Sequence, residues 1–391
     1  MRSRGRRFLF IVLLLVVAIV AWEPARVTVQ TLVLLPYLLD VGPKPLNIFS
    51  GTPNVTTLPY RDAAGGDDEA AQGDLADLWL PSGASADNRV GAMLLVFGVN
   101  NLGREHPAVQ RVADGLARTG VAVRVPDSAT LLAGRLEVGE VDGVVRAFDL
   151  LSRRPEVDPE RVGIVGFSVG GSLSLIAAAD ERIADRVRYV NAFGAYADVR
   201  SYLASVAAHA YERDGEEVPW EPTPLALEVF TRFVFEIVPD EEDRQVLADA
   251  YEAQLLAGER PLPDSELERR LSEPARAVYT LLTAESLRDA RVAVDELPAP
   301  VRAFMAAISP VEHLDGVRAD VYLMHEVDDH HVPYVQSRVL AGPLEARELL
   351  VRHAEFRLFD HVQPDDLDLI AAAPELWKLL WHVQALMVET L

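Results

Sequence analysis

Cysteine is absent from this 391-residue sequence. The chain therefore has no disulfide scaffold, no zinc site or iron–sulfur cluster held by cysteine, and no cysteine nucleophile. Positive charge is also scarce, because Lys and Arg together number 37 against 60 Asp and Glu, which gives a formal net charge of −23. A surface this acidic repels phosphate backbones, so we expect no nucleic-acid partner.

Low-complexity sequence is lacking as well. Glycine and proline number 24 and 25, which is close to average usage and excludes collagen-like and glycine- or proline-rich disordered chains. Half of the residues are hydrophobic and a quarter are charged, as in a globular protein that buries a sizeable core. The length allows one large domain or two of ordinary size.

Long apolar runs are few, and the one at the amino terminus has the features of an export signal or membrane anchor. The arginines that precede it are Arg2, Arg4, Arg6 and Arg7. The charge-free run Phe8–Trp22 would form a helix about 22 Å long, and snorkelling arginines with the interfacial Trp22 would extend it toward the roughly 30 Å hydrocarbon core. Because arginine clusters stay on the cytoplasmic side, we expect an uncleaved anchor with the remaining chain outside. A cleaved signal peptide, giving a secreted protein, is the alternative.

The sequence divides into four segments, of which residues 1–49 hold the anchor or signal and an apolar linker. Within this segment, Val27–Leu39 is too short to span a bilayer, so we expect it to pack against the domain, with a position on the membrane surface as the alternative. Residues 50–198 and 309–391 alternate short apolar runs with amphipathic stretches, as βαβ units do. Residues 199–308 show helical periodicity and no convincing strand, which predicts an inserted helical cap.

These patterns predict an α/β fold with a mostly parallel, twisted sheet that is flanked by helices. Ala92–Gly98 is a continuous apolar run, as in a strand that is covered on both faces. Val162–Gly166 and Val321–His325 are further predicted strands, and Phe356–Phe359 is the last one.

The segment Gly166-Phe167-Ser168-Val169-Gly170 has the pattern G-x-S-x-G. It lies directly between an apolar strand and an alanine-rich helix, which is the context of a nucleophile elbow. The sharp turn strains the serine backbone and leaves no room for side chains two residues to either side. We therefore predict that Ser168 is a nucleophile and that the Val169 amide, at the start of the helix, donates to an oxyanion.

A nucleophilic serine needs a base, and the base needs a carboxylate that orients it. Both are expected at the carboxyl ends of later strands, the acid before the histidine. The strand Val321–His325 leads into Asp328 and Asp329, and the strand Phe356–Phe359 leads into His361. We assign His361 as the base, and at this point either aspartate could be the acid.

Other histidines and a metal site are less favoured. His330 and His331 adjoin the acid on the same loop, so neither is expected to reach Ser168. His353 precedes the predicted last strand and would lie at the opposite edge of the sheet. Carboxylates and imidazoles at 328–331 could bind a metal ion, but adjacent side chains rarely point the same way, so we predict no metal and no cofactor.

These motifs make the sequence similar to the α/β-hydrolase superfamily, specifically its dienelactone-hydrolase-like and prolyl-oligopeptidase-like branches. The resemblance covers residues 75–198 and 309–391. Besides the serine motif it rests on Val157-Asp158-Pro159-Glu160-Arg161, on Ile308-Ser309-Pro310, and on His325, Asp329 and Val332-Pro333. Those branches carry His-Gly-x-x-Asp-x-x-Val-Pro at the acid loop, so the resemblance implies hydrolytic activity with Asp329, rather than Asp328, as the triad acid.

Two departures from the family pattern are visible. Phe97-Gly98-Val99-Asn100-Asn101 stands where such families have His-Gly after the oxyanion strand, and the resemblance then implies the Val99 amide as the second oxyanion donor. Glu326 replaces the usual glycine and adds a carboxylate beside the acid.

Together these observations predict a membrane-anchored serine hydrolase that cleaves a small ester or related acyl substrate through an acyl-enzyme. A peptidase or an acyltransferase with the same triad is the alternative within enzymes, because acyl-transfer chemistry does not distinguish water from an amine or alcohol acceptor. The alternative outside enzymes is a binding module that keeps the hydrolase fold without activity.

Overall fold

An eight-stranded sheet forms the centre of the molecule in the computed structural model, which describes residues 25–60, 75–361, 363–364 and 371–391. Its strands are β1 (Asn54–Pro59), β2 (Leu75–Leu80), β3 (Val90–Val96), β4 (Ala122–Pro126), β5 (Val157–Phe167), β6 (Tyr189–Phe193), β9 (Asp320–Glu326) and β10 (Leu350–Phe356). Their spatial order is β1-β2-β4-β3-β5-β6-β9-β10. In this sheet β2 runs opposite to the other seven strands, so its pairings with β1 and β4 are antiparallel and the remaining five pairings are parallel. The predicted mostly parallel sheet is confirmed.

The central strands are apolar on both faces because helices cover both sides of the sheet. Every residue of β6 is buried, and β3 is buried from its second residue onward. Gly166 of β5 lies in register with Val96 of β3 and with Ala192 of β6. Parallel pairing in this register brings the loops that follow these strands to the same edge, where the serine motif begins.

Two groups of helices pack on the two faces. The helices are α1 (25–38), α2 (Leu46–Phe49), α3 (Pro107–Arg118), α4 (Ala129–Leu132), α5 (Gly139–Ser152), α6 (Val169–Ala178), α14 (Val335–Ala346) and α15 (Ala373–Thr390). Apolar side chains of α5, α6 and α14 fill one face of the sheet. Those of α1, α3 and α15 fill the other. A mostly parallel sheet between two helical layers, with a sharp turn at Ser168 between β5 and α6, is the predicted α/β-hydrolase fold.

The apolar run Val27–Leu39 falls on α1, which packs into the domain. Leu34 and Tyr37 are buried among side chains of α3 and α15, and Arg111 of α3 donates to the Tyr37 carbonyl (2.9 Å). Among the described residues, no helix combines the length and the apolarity needed to cross a bilayer. The predicted anchor, Phe8–Trp22, lies outside the described residues.

Residues 199–308, here called the cap, lie between β6 and β9 and build a hydrophobic cluster of their own. The cap helices are α7 (Val199–Ala208), α8 (Pro224–Glu236), α9 (Glu241–Leu256), α10 (Ser265–Glu268), α11 (Glu273–Leu282), α12 (Leu287–Asp295) and α13 (Ala299–Ala307). The expectation that this segment lacks strands was wrong, because β7 (Ala210–Arg213) and β8 (Glu216–Pro219) form a hairpin around Asp214 and Gly215. Charged residues occupy half of this hairpin, so it carries no apolar alternation that a sequence pattern could detect.

The position of the last strand was also predicted wrongly. β10 spans Leu350–Phe356, before the predicted Phe356–Phe359, and contains His353. As an edge strand, β10 is mostly half-buried and carries Arg352 and Glu355, so the apolar run that was expected is missing. It is followed by the short hairpin β11 (Phe359–Asp360) and β12 (Gln363–Pro364).

Candidate active site

Ser168 occupies a strained turn between β5 and α6. Its backbone has φ 54° and ψ −131°, a region that costs energy for any residue with a side chain and persists where packing enforces it. A Cβ added to Gly166 would lie 2.4 Å from the Gly170 carbonyl oxygen, and one added to Gly170 would lie 2.2 Å from the Val96 carbonyl oxygen. Both motif glycines are therefore sterically required, as the elbow geometry predicts.

The residues predicted to bind an oxyanion lie beside Ser168. Val169 is the first residue of α6, whose amino terminus carries the positive end of the helix dipole. A Cβ added to Gly98 would lie 3.1 Å from both the Ser168 Cβ and the Val169 nitrogen, so the segment after β3 touches the nucleophile turn. Val99 follows directly and lines a cavity together with Ser168 and Val169.

Asp329 is the aspartate that contacts the predicted base. His361 Nδ1 donates to Asp329 Oδ2 (2.5 Å), while the amides of His331 and Val332 donate to Oδ1 (2.7 and 3.0 Å). Burial alone would raise the pKa of Asp329, but the charge of His361 and the hydrogen bonds outweigh it and hold the pKa below its usual range. Asp328 is exposed and pairs with Arg357.

His361 is placed by the turn of the β11–β12 hairpin. Its φ of 57° is left-handed, as tight hairpin turns require, and only 6% of its surface is exposed. With Nδ1 bonded to Asp329, Nε2 is buried and has no hydrogen-bond partner in the described structure. His361 and Ser168 line the same cavity, although Nε2 and Oγ are not hydrogen-bonded; such contacts often tighten only when substrate binds.

His325, which sequence reasoning used only as a family marker, is a second imidazole on the acid. Its Nε2 lies 3.2 Å from Asp329 Oδ2 and 3.0 Å from the Val332 carbonyl oxygen. The side chain is completely buried at the end of β9. Its spacing of four residues from Asp329 was the signal that could have identified it.

Glu326 connects the acid loop to the chain that carries His361. Its Oε2 accepts the amides of Leu358 (2.7 Å) and Phe359 (2.9 Å), which follow β10. Burial raises the pKa of Glu326, and these amides lower it in part. The unusual residue at this position of the family pattern thus bridges the two loops.

His331 stacks on His361, with ring centroids 4.6 Å apart and planes 17° from parallel. Burial, followed by the charge of His361, lowers the pKa of His331 to about 4, so His331 is neutral at physiological pH. It lines both cavities that reach Ser168. The sequence-based expectation was that His331 does not reach Ser168 as a base, and its stacking on His361 was not foreseen.

Residues of the cap donate hydrogen bonds to the backbone of the loop that carries Asp329. Trp220 Nε1 donates to the Asp329 carbonyl oxygen (2.8 Å), and the Tyr202 hydroxyl donates to the His331 carbonyl oxygen (3.0 Å). The Thr223 amide donates to the His330 carbonyl oxygen (2.8 Å). The cap therefore fixes the backbone of the acid loop besides covering the site.

Asp329, His331 and His361 also bring ligand-type atoms within 4.8 Å of one another, which raises the question of a metal ion. Both Asp329 oxygens already accept two contacts each. The stacked imidazole planes are nearly parallel, so their in-plane lone pairs do not converge on one point. This arrangement suits proton transfer better than metal coordination.

Two cavities meet at Ser168. The first, here called the cap cavity, has a volume of about 110 Å³ and is lined by Val99, Ser168, Val169, Tyr202, Phe230 and Phe304, among others. The second, here called the outer cavity, has a volume of about 300 Å³ and is lined by Val99, Asn100, Ala108, Arg111, Ser168 and His361, among others.

No family model and no curated protein matches the sequence. Among solved structures, the chain is similar to Porphyromonas gingivalis dipeptidyl peptidase 4, with 12% identity and a TM-score of 0.47 over 87% of this chain and 36% of that one. It is similar to Pyrococcus horikoshii acylaminoacyl peptidase, with 13% identity and a TM-score of 0.42 over 80% of this chain and 39% of that one. The dienelactone hydrolase from Anabaena variabilis shows 15% identity and a TM-score of 0.41 over 87% of this chain and 100% of that one. The chain thus spans well under half the length of the two peptidases.

Proposed function

We propose that this protein is a serine hydrolase that cleaves an ester or related acyl substrate through a covalent acyl-enzyme. The observation that carries the proposal is the conjunction of a strained, cavity-lining Ser168 with the buried His361–Asp329 pair in the same site. A protein that only binds its ligand would need neither a serine with a strained, positive-φ backbone nor a carboxylate that orients an imidazole.

In this reaction, Ser168 Oγ attacks the substrate carbonyl while His361 Nε2 takes the hydroxyl proton. His361 then donates that proton to the leaving group, and the bond between the carbonyl carbon and the leaving group breaks. Water repeats the sequence to release the acid and regenerate Ser168. Asp329 keeps Nδ1 protonated, which leaves Nε2 as the basic atom, and stabilises the imidazolium that forms.

The Val169 and Val99 amides are proposed to donate to the oxyanion of the tetrahedral intermediate. Their support is positional: Val169 begins α6, and Val99 follows the segment that touches the nucleophile turn. An oxyanion donor of this kind contributes about 3 kcal/mol to transition-state stabilisation.

We further propose that the protein is anchored in a membrane by Phe8–Trp22, with the catalytic domain on the extracytoplasmic side. The support is the arginine cluster ahead of this apolar run in the sequence.

Labelling with a fluorophosphonate probe tests the activity directly. We expect the wild-type protein to be labelled, Ser168→Ala to be unlabelled, and His361→Ala to react at least a hundredfold more slowly. Ser152→Ala, at the end of α5 and outside the site, is the matched serine control and should be labelled like the wild type. An unlabelled wild type, or equal labelling of Ser168→Ala, would refute the proposal.

A further inference from the structure

Ser168 stands between two cavities of different character. The cap cavity and the outer cavity share Ser168, Val99 and His331. Val169 lines the cap cavity, whereas His361 lines the outer cavity. The proposed base and one proposed oxyanion donor therefore line different cavities beside the nucleophile.

This asymmetry fixes how an ester would lie across the serine. His361 has to hand its proton to the leaving group, so the leaving group must occupy the cavity that His361 lines. The acyl chain extends from the other side of the same carbonyl carbon. Resting on the proposed serine-hydrolase function, we propose that the cap cavity binds a short, unsubstituted apolar acyl chain and that the outer cavity binds the alcohol.

The two tyrosine hydroxyls in the wall of the cap cavity already have partners. The Tyr196 hydroxyl donates to the Ile308 carbonyl oxygen (3.0 Å), and the Tyr202 hydroxyl donates to the His331 carbonyl oxygen (3.0 Å). Both tyrosines line this cavity. A carboxylate or a peptide group bound there would compete with these bonds and lose its own hydration, which disfavours polar acyl groups.

The charged residues of the wall are paired in the same way. Arg232 donates to the Ala133 carbonyl oxygen and to Glu228, and Arg135 donates to Glu236 (3.0 Å). These bonds also join α8 to the loop after α4, so the cap closes this side of the cavity. The remaining wall is dominated by aliphatic and aromatic side chains.

The volume sets the length of the acyl chain. A dry cavity of about 150 Å³ in another protein binds benzene, which has six carbon atoms. The 110 Å³ of the cap cavity therefore suits an acyl chain of about four or five carbons. Each methylene that enters the cavity should raise kcat/KM about fourfold, and longer chains should bring no further gain.

The outer cavity fits a larger and more polar group. Its volume is about 300 Å³, and Asn100, His106, Arg111 and Asp360 contribute to its wall. The alcohol of the substrate is therefore expected to be larger than the acyl chain and to carry polar groups.

A matched pair of substitutions tests the assignment in the full-length protein. Val229→Phe narrows the cap cavity from α8, and Ala108→Phe narrows the outer cavity from α3; both positions are half-buried cavity walls on helices. We would measure kcat/KM for acetyl, butyryl, hexanoyl and decanoyl esters of one alcohol, and for butyryl esters of ethanol, glycerol and a disaccharide.

For the wild type we expect butyryl esters to exceed acetyl esters about fifteenfold, with no gain beyond hexanoyl. Val229→Phe should lower the butyryl-to-acetyl ratio at least tenfold and leave the disaccharide-to-ethanol ratio unchanged. Ala108→Phe should lower the disaccharide-to-ethanol ratio at least tenfold and leave the butyryl-to-acetyl ratio unchanged. Val229→Ala enlarges the cap cavity at the same position and should shift the preferred acyl chain toward greater length. It tests the same assignment if the phenylalanine variant fails to fold.

Failure of the proposed function and failure of the cavity assignment would give different results. An unlabelled Ser168 in the fluorophosphonate assay removes the serine-hydrolase function itself. If Ser168 is labelled but Val229→Phe changes the alcohol ratio, or if decanoyl esters are preferred, only the assignment of the cavities is overturned. Reaction rates with p-nitrophenyl alkylphosphonates of increasing alkyl length give the same comparison without requiring ester turnover.

Discussion

At the scale of single residues, Asp329 is unusual because two imidazoles share one carboxylate oxygen. His361 Nδ1 and His325 Nε2 both approach Oδ2. Since His325 also contacts the Val332 carbonyl oxygen, it holds both the side chain and the loop of the acid. His325 is therefore a positioning residue that acts through Asp329.

A polar and an apolar replacement of His325 should behave differently. Gln retains an N–H that can reach Asp329 and Val332, whereas Leu has a similar volume and no donor. We expect His325→Leu to lower kcat about tenfold with little change in KM, which corresponds to one net hydrogen bond. His325→Gln should retain at least half of the wild-type kcat. Equal losses in the two variants would show that only packing matters at this position.

His382 is a second buried imidazole, and it couples folding to pH. Its Nε2 contacts Asn191 Oδ1 (2.7 Å), and it is completely buried on α15. Burial, followed by the charges of Arg352 and His353, lowers its pKa to about 3. The unfolded chain takes up this proton near pH 6.5, so the unfolded state gains protons first and stability falls as the pH drops below 6.5.

His382→Gln should therefore reduce the acid sensitivity of the fold. At pH 4.5 the folded wild type keeps His382 neutral while the unfolded chain has protonated it, a difference of about 3 kcal/mol. Urea unfolding at pH 7.5 and 4.5 measures the loss for each protein. We expect the loss to be about 2–3 kcal/mol smaller in His382→Gln, and equal losses would contradict the pKa shift.

Individual site residues differed in how far the sequence could identify them. Ser168 lies in a motif whose strand–turn–helix context is local, and the family pattern selected Asp329 over Asp328. His331 could not be placed in the same way, because its stacking on His361 depends on how two loops, distant in sequence, meet.

At the scale of elements, the two loops that carry the proposed acid and the proposed base are joined through Glu326. The carboxylate at the end of β9 binds the amides that follow β10, so the acid loop and the His361 hairpin form one unit. A glycine at this position could not make the connection.

Removing this connection should cost stability and activity together. Glu326→Ala leaves buried amides without their acceptor, and we expect the free energy of unfolding to fall by about 1–3 kcal/mol and kcat to fall with it. Asp328→Ala removes an exposed carboxylate of the same loop, which pairs with Arg357, and should cost about 0.5 kcal/mol or less. Equal effects of the two substitutions on urea unfolding would rule out the bridging role.

Helices and strands could be predicted from the sequence where a buried face gave them a clear hydrophobic periodicity. Helical periodicity over 241–256 predicts α9 (Glu241–Leu256), and the apolar run at 92–98 predicts β3. The β7–β8 hairpin and β10 were missed because exposed or edge strands tolerate charged residues on both faces. Helical periodicity in the sequence continues over 266–283, but the structure divides this stretch into α10 and α11, and α11 begins around Ser272 and Pro274.

At the scale of the whole molecule, α1 runs from one edge of the sheet toward the other. Arg26 and Val27, near its start, line a surface cavity with Asp320, the first residue of β9. Leu38, at its end, lines the outer cavity with His361. An anchor ahead of α1 would thus lie near the amino edge of the sheet, with the length of α1, about 20 Å, between it and the mouth of the site.

This placement predicts that the proposed anchor determines the location of the protein and has little influence on its catalytic activity. Full-length protein should remain in the carbonate-washed membrane fraction, whereas a variant that lacks residues 1–22 should be released. Because the site would open away from the bilayer, kcat/KM for water-soluble butyryl esters should agree between the two proteins within about twofold. If the shortened protein stays with the membrane, Phe8–Trp22 is not the anchor. If it is released but loses most of its activity, the bilayer or the anchor itself contributes to the site, and the orientation inferred from α1 is wrong.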